Sequence, residues 1–232
     1  MNAATGMVDD QTSLVRVLIG LTVVTGLVDA ISFLGLGRIF TANMTGNVVF
    51  LGFAAGGAPG ISAARSIAAL CAFAGGSVCG GRLVSSRERT SIAHLLITTY
   101  VETALLLTAA GAAAFAAGDA SSLAATYAIV LSTAVAMGLR NAVVRKLAVP
   151  DLTTTVLTMT ITGLAADSSL AGGHGGRWAR RALSILAMFA GALIGAVLLR
   201  TFGLPASLVV AALMVAALSF HLRSYAQPKL AT

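Results

Sequence analysis

The sequence predicts an all-α, polytopic membrane bundle of six transmembrane spans plus two short re-entrant or broken helices, arranged as an inverted 3+3 repeat. Three observations predict it. The 232-residue chain is 57% hydrophobic and only 10% charged, whereas a soluble domain carries about 25% charged residues. That leaves too little polar surface to clothe a water-soluble globule. The apolar residues also gather into stretches long enough to cross a bilayer, and a polar pattern inside the first of them returns about halfway along.

Six segments are long enough or nearly so: Leu14–Leu36, Ile61–Leu83, Ile92–Ala117, Leu123–Val144, Ala182–Phe202 and Ala206–Leu222. A helix rises about 1.5 Å per residue, so roughly 20 residues cross a hydrocarbon core of about 30 Å. The first segment reads as a permanent span, because Met1–Ser13 has no basic residue and the apolar run outlasts a signal h-region. Two further stretches are short. Phe40–Gly56 opens on Thr41, Asn43, Thr45, Gly46 and Asn47, which leaves an apolar remainder starting a half-helix at about Val48. Leu152–Ala166 carries Thr153, Thr154, Thr155, Thr158, Thr160 and Thr162, and would reach only about 22 Å as a helix.

Basic residues favour two re-entrant segments over eight full crossings. With the N- and C-termini inside, Arg16, Arg82, Arg87, Arg89, Arg145, Lys146, Arg177, Arg180, Arg181, Arg223 and Lys229 all face the cytoplasm. Only Arg38, Arg65 and Arg200 face out, so the count is eleven to three, a strong positive-inside bias. Eight crossings would move the Arg82–Arg89 and Arg145–Lys146 loops outside.

Three crossings per half place the second half upside down relative to the first. The expected organisation is one integral-membrane domain over residues 1–232, with pseudo-repeats over about 14–117 and 121–222. Gly138-Leu139-Arg140-Asn141-Ala142 echoes Gly26-Leu27-Val28-Asp29-Ala30, Thr158 answers Thr45, and Gly191-x-x-x-Gly195 answers Gly76-x-x-x-Gly80. The paired glycines read as notches where helices pack closely. Inverted halves with interrupted helices near the midplane are the plan of many secondary transporters.

Gly26-x-x-Asp29, the string Phe40-Thr41-Ala42-Asn43-Met44-Thr45-Gly46-Asn47 and Gly138-x-x-Asn141-Ala142 together resemble the YoaK-like family of bacterial inner-membrane proteins. The resemblance covers nearly the whole chain. It implies a small polytopic protein of the bacterial plasma membrane, with one domain and no established activity. The chain departs from the expected pattern at Thr158-Met159, where a second Thr-Gly pair would stand.

The candidate solute- or ion-binding residues are those whose polarity is costly in lipid. Asp29 lies well inside the first span, and an ionised carboxylate facing lipid would cost on the order of 2.5–3.5 kcal/mol. It should face the bundle interior as a proton or cation carrier, or as a partner for Arg140 or for exposed hairpin backbone. Glu102 sits deep in the third span beside Thr98, Thr99, Tyr100 and Thr103, as a second candidate proton carrier. Arg140 either snorkels to the nearby interface or is the counter-charge of Asp29 or Glu102. Asn43, Thr45, Gly46 and Asn47 would form a polar loop at a half-helix start, with N–H groups and caps to offer. Across the repeat, Asn141 aligns with Asp29, and Thr155 and Thr158 of the Thr-rich run stand opposite the Asn43–Asn47 loop.

No catalytic residues, metal ligands or cofactor are expected. His94, His174 and His221 do not gather with Cys, Asp or Glu at ligand spacing. Cys71 and Cys79 lie in one span and read as small packing residues. The net charge of +7 arises from interhelical loops, without basic runs interleaved with aromatics, so nucleic acid is not an expected partner. The partners are the lipid bilayer and a small solute or proton. A small secondary transporter or permease is the leading function. The alternatives are a non-transporting scaffold or sensor acting through an intramembrane partner and, less favoured, an intramembrane enzyme, for which no nucleophile elbow or H-E-x-x-H motif exists.

Overall fold

The computed structural model describes residues 3–85, 90–116, 122–149, 152, 154–155, 157–173 and 176–230, with side chains between 13 and 224. Arg87, Arg89, Thr153 and His174 lie outside the described residues, as does the Lys229 side chain. Helices α1 (Ala3–Gly35), α2 (Met44–Ala55), α3 (Ala63–Ser85), α4 (Ser91–Ala116), α5 (Leu123–Leu147), α6 (Thr158–Ala166) and α7 (Trp178–Leu230) form a membrane helical bundle. There is no strand among the described residues. Five of the helices are long and apolar enough to cross a membrane: Ser13–Gly35 of α1, then α3, α4, α5 and Trp178–Ser224 of α7.

Sequence explains where these helices stop. The 47-residue α7 stretch Trp178–Ser224 would span about 70 Å if straight, far beyond a bilayer. Gly203, at φ 77° and ψ 179°, breaks it just before Pro205. The left-handed φ suits a residue without Cβ. At the end of α1, Gly37 takes φ 89° and Arg38 φ 59°, and Arg65 of α3 donates to the Leu36 carbonyl at 3.2 Å. A guanidinium there satisfies a helix-end carbonyl and complements the dipole.

The bundle is greasy outside and carries a polar stripe within its apolar interior. Phe115 is 89% exposed and Phe220 72%, as expected of faces turned to lipid. Thr22, Thr25, Asp29 and Ser32, on one stripe of α1, are buried. Apolar packing still fills most of the interior, with Leu27, Val28 and Ile31 of α1 meeting Leu106, Met137, Leu208 and Val215 in one cluster. Cys71 and Cys79, expected as packing residues, lie exposed on the outer side of α3.

Two close crossings organise the helices: α1 packs on α7, and α3 on α5. A Cβ at Gly26 would overlap the Met188 carbonyl oxygen, one at Gly191 that of Val23, and one at Gly195 would come within 2.6 Å of that of Leu27. In the other crossing, a Cβ at Gly138 would overlap the Phe73 carbonyl, one at Gly76 that of Val135, and one at Gly80 would lie 2.6 Å from that of Leu139. The glycine pairs found in the sequence therefore meet their partners in matching order. Helix α4 fills the space between α5 and α7, while short α2 leans on α3 and short α6 on α7.

The turn before α2 is held by one amide. Asn47 accepts the Phe40 N–H at 3.0 Å and donates to the Phe40 carbonyl at 2.6 Å, and it is buried. The Phe40 ring stacks on Phe33 and Phe50, with centroids 5.1 and 5.7 Å away, and those two rings lie 6.0 Å from each other. Asn47→Ala leaves both Phe40 groups unpaired, at a cost of about 1–3 kcal/mol. Its unfolding temperature in detergent should fall clearly. Asn43→Ala should leave that temperature nearly unchanged, because the Asn43 side chain makes no cap bond.

Candidate functional site

Asp29 sits where α1 passes the broken segment before α2. Its Oδ1 accepts the Ala42 N–H at 2.9 Å, and the N–H groups of Thr41 and Asn43 also lie in its reach. The carboxylate thus receives backbone N–H groups that the turn before α2 leaves without a helical partner. At Asn141, which the sequence aligns with Asp29, a hydrogen bond also comes from the segment before a short helix. Asn141 Oδ1 accepts the Thr155 hydroxyl at 2.5 Å, while its Nδ2 donates to the Met137 carbonyl at 2.9 Å.

Arg140 does not snorkel; it is fully buried, and its counter-charge is Glu102. The Nη1–Oε1 distance is 2.7 Å, with both side chains sealed from solvent. Nη2 donates to the Thr25 hydroxyl and lies 3.1 Å from Met137 Sδ. One guanidinium therefore ties together α5, α4 and α1. Several buried polar atoms around this centre lack a hydrogen-bond partner among the described residues: Asp29 Oδ2, Thr41 Oγ1, Thr98 Oγ1, Glu102 Oε2, Arg140 Nε and both ring nitrogens of His94. Such atoms are rare in a finished fold and mark where water or a ligand would sit.

Of the sequence-predicted residues, Asp29, Asn47, Glu102, Arg140 and Thr155 are buried and Asn141 is half-buried. Asn43 and Gly46 are half-buried at the start of α2, and a Cβ at Gly46 would press into the Phe40 ring at 2.6 Å. Thr45 and Thr158 are exposed, so they stand outside the polar interior rather than lining it. Sequence reasoning missed Thr25 and His94. The signal for Thr25 was its place one turn before Asp29; His94 sits two turns before Glu102. Asp167, at the end of α6, pairs with Arg181 at 2.7 Å.

A cleft of about 740 Å³ opens between α3 and α5, lined by Ser77, Gly81, Asn141, Arg145, Lys146 and Thr155 among others. It connects the Asn141–Thr155 contact with the cationic end of α5.

A protein of Bacillus subtilis (strain 168) described as UPF0700 transmembrane protein YoaK is 33% identical over 150 residues, covering 64% of this chain and 64% of the relative. The matched stretch is thus just under two thirds of that protein's own length. No solved structure matches the chain. The family described as "Protein of unknown function (DUF1275)" matches residues 17–221, and the chain belongs to that family of membrane proteins.

Proposed function

We propose that the protein is a small secondary transporter of the bacterial plasma membrane, with its termini in the cytoplasm. Its solute site would lie at midplane between two inverted halves. One observation carries the reading. Asp29 and Asn141, at corresponding places beside the two glycine crossings, each accept a hydrogen bond from a broken segment preceding a short helix. Interrupted helices facing each other across a pseudo-two-fold axis are how many transporters build a central site. The break at Gly203 divides α7 into two arms; with α1, α3, α4 and α5 these supply six crossings. In that arrangement α2 enters from outside and α6 from the cytoplasm, and the halves rock to expose the site alternately.

Two measurements test the reading. In a Cys71→Ala/Cys79→Ala background, cysteines at Thr45 and Thr158 should react with an impermeant maleimide from the outer and the cytoplasmic face, respectively. Reaction of both from one face would remove the inverted arrangement. In proteoliposomes challenged with a panel of small solutes, Asp29→Asn should abolish the flux seen with the unsubstituted protein while leaving the protein folded. Absence of any flux from the folded, unsubstituted protein would favour a non-transporting scaffold.

A further inference from the structure

Two carboxyl groups and one guanidinium share the sealed centre of the bundle. Asp29 is 6% exposed, and Glu102 and Arg140 are 0%. Arg140 binds Glu102 on one side and the Thr25 hydroxyl on the other. Thr25 stands one turn before Asp29 on α1, so its bond to Arg140 holds the guanidinium against the same stretch of α1 that carries the Asp29 carboxylate. With both acids ionised, the group would hold one uncompensated negative charge in an apolar interior, which is hard to sustain. Among the described residues, the elements packed around it supply no second cation: α7 is uncharged from Ala182 to Leu199 and from Thr201 to Phe220, α2 has no titratable residue, the α3 arginines, Arg65 and Arg82, stand near its two ends, and Arg145 and Lys146 lie in the last turn of α5. His94, on α4 itself, is the remaining titratable neighbour.

We propose that this centre binds one proton, shared between Asp29 and Glu102, while Arg140 pairs with whichever carboxylate stays ionised. Each acid keeps one oxygen without a partner among the described residues, Asp29 Oδ2 and Glu102 Oε2, so each has a place for the proton. A metal ion is less suited. The two free oxygens belong to different helices, and no group of three or more His, Cys, Asp or Glu gathers among the described residues.

The route we infer for this proton runs along α4. His94, Thr98 and Glu102 follow one another at four-residue intervals along α4, so they share one side of the helix, each step rising about 6 Å. All three are buried. Both His94 nitrogens, Thr98 Oγ1 and Glu102 Oε2 lack protein partners. A row of unpaired buried polar atoms is a natural seat for a file of water. It begins one turn inside the start of α4 and ends on the ion pair.

Naming this proton the coupling ion rests on the transporter reading; the proton itself does not, because it is counted without any solute. The test is infrared absorption of the carboxylic-acid C=O stretch, on the full chain in nanodiscs at neutral pH. The Asp29→Asn/Glu102→Gln double variant is the baseline. The unsubstituted protein should show one acid group. Asp29→Asn and Glu102→Gln should each lose it, since the acid left then balances Arg140. Arg140→Gln should show two; if it does not fold, the two acid variants decide alone. No acid band in the unsubstituted protein, or a band retained by either single acid variant, would overturn the shared proton. Loss of the band on adding sodium would replace it with a metal ion. His94→Leu should keep the band but slow its exchange with deuterium, and an unchanged exchange rate would overturn the route along α4.

Discussion

Arg140→Leu is expected to cost about 3–5 kcal/mol of stability, because it strips the partner from a carboxylate buried in an apolar interior. Glu102 is sealed at 0% exposure, and Thr98 and Thr99, one turn before it on α4, are neutral hydroxyls that cannot replace the lost charge. The Thr25 hydroxyl loses its donor in the same stroke. The Arg140→Leu/Glu102→Leu double variant should recover most of the loss, since replacing both members of a buried pair by apolar side chains is often neutral. A double-mutant cycle, read by denaturant unfolding in detergent, measures the difference. The deficit of the single variant should also shrink as pH falls, when a proton can take the place of the missing cation. Equal stability of Arg140→Leu and the unsubstituted protein would mean that the ion pair holds nothing together.

The helices were legible because hydropathy and breakers act locally. Leu123–Val144 anticipates α5 at Leu123–Leu147, and the division between Phe202 and Ala206 falls on Gly203. The choice of Glu102 as the partner of Arg140 was not legible. It depends on how α4 is rotated against α5, and nothing in either segment fixes that angle. Helix phase also explains the candidates that turned outward. Residues two apart on a helix point about 200° from each other. Once α2 starts at Met44 and Asn47 turns in to clamp Phe40, Thr45 must turn out. Buried Thr160 and exposed Thr158 repeat this in α6. A polar run with hydroxyls on every side gives no hint of which one faces the core. The nest under Asp29 was half legible: a lone acid beside a Gly/Asn/Thr break needed donors, and the break supplied them.

Gly191→Ala should be the other severe substitution, and it tests what holds α1 to α7. The added Cβ would overlap the Val23 carbonyl oxygen and crowd the Val23 backbone. Backbone cannot swing aside as the tip of a side chain can, so the helices must part. Overpacking of this kind costs about 1–3 kcal/mol, and here the upper end is expected because Gly26 and Gly195 lie in the same seam. Gly111→Ala is the control. Nothing lies within 4 Å of its added methyl, so the helix gains alanine's better propensity, worth up to about 1 kcal/mol. Gly76→Ala should match Gly191→Ala, because a Cβ there would overlap the Val135 carbonyl of the other crossing. If the crossings are separate seams, the Gly76→Ala/Gly191→Ala loss is the sum of the two. A loss well beyond the sum would mean that parting one seam loosens the other, through α4, which packs on both α5 and α7. Equal tolerance of alanine at Gly191 and Gly111 would show instead that close backbone approach does not hold the bundle.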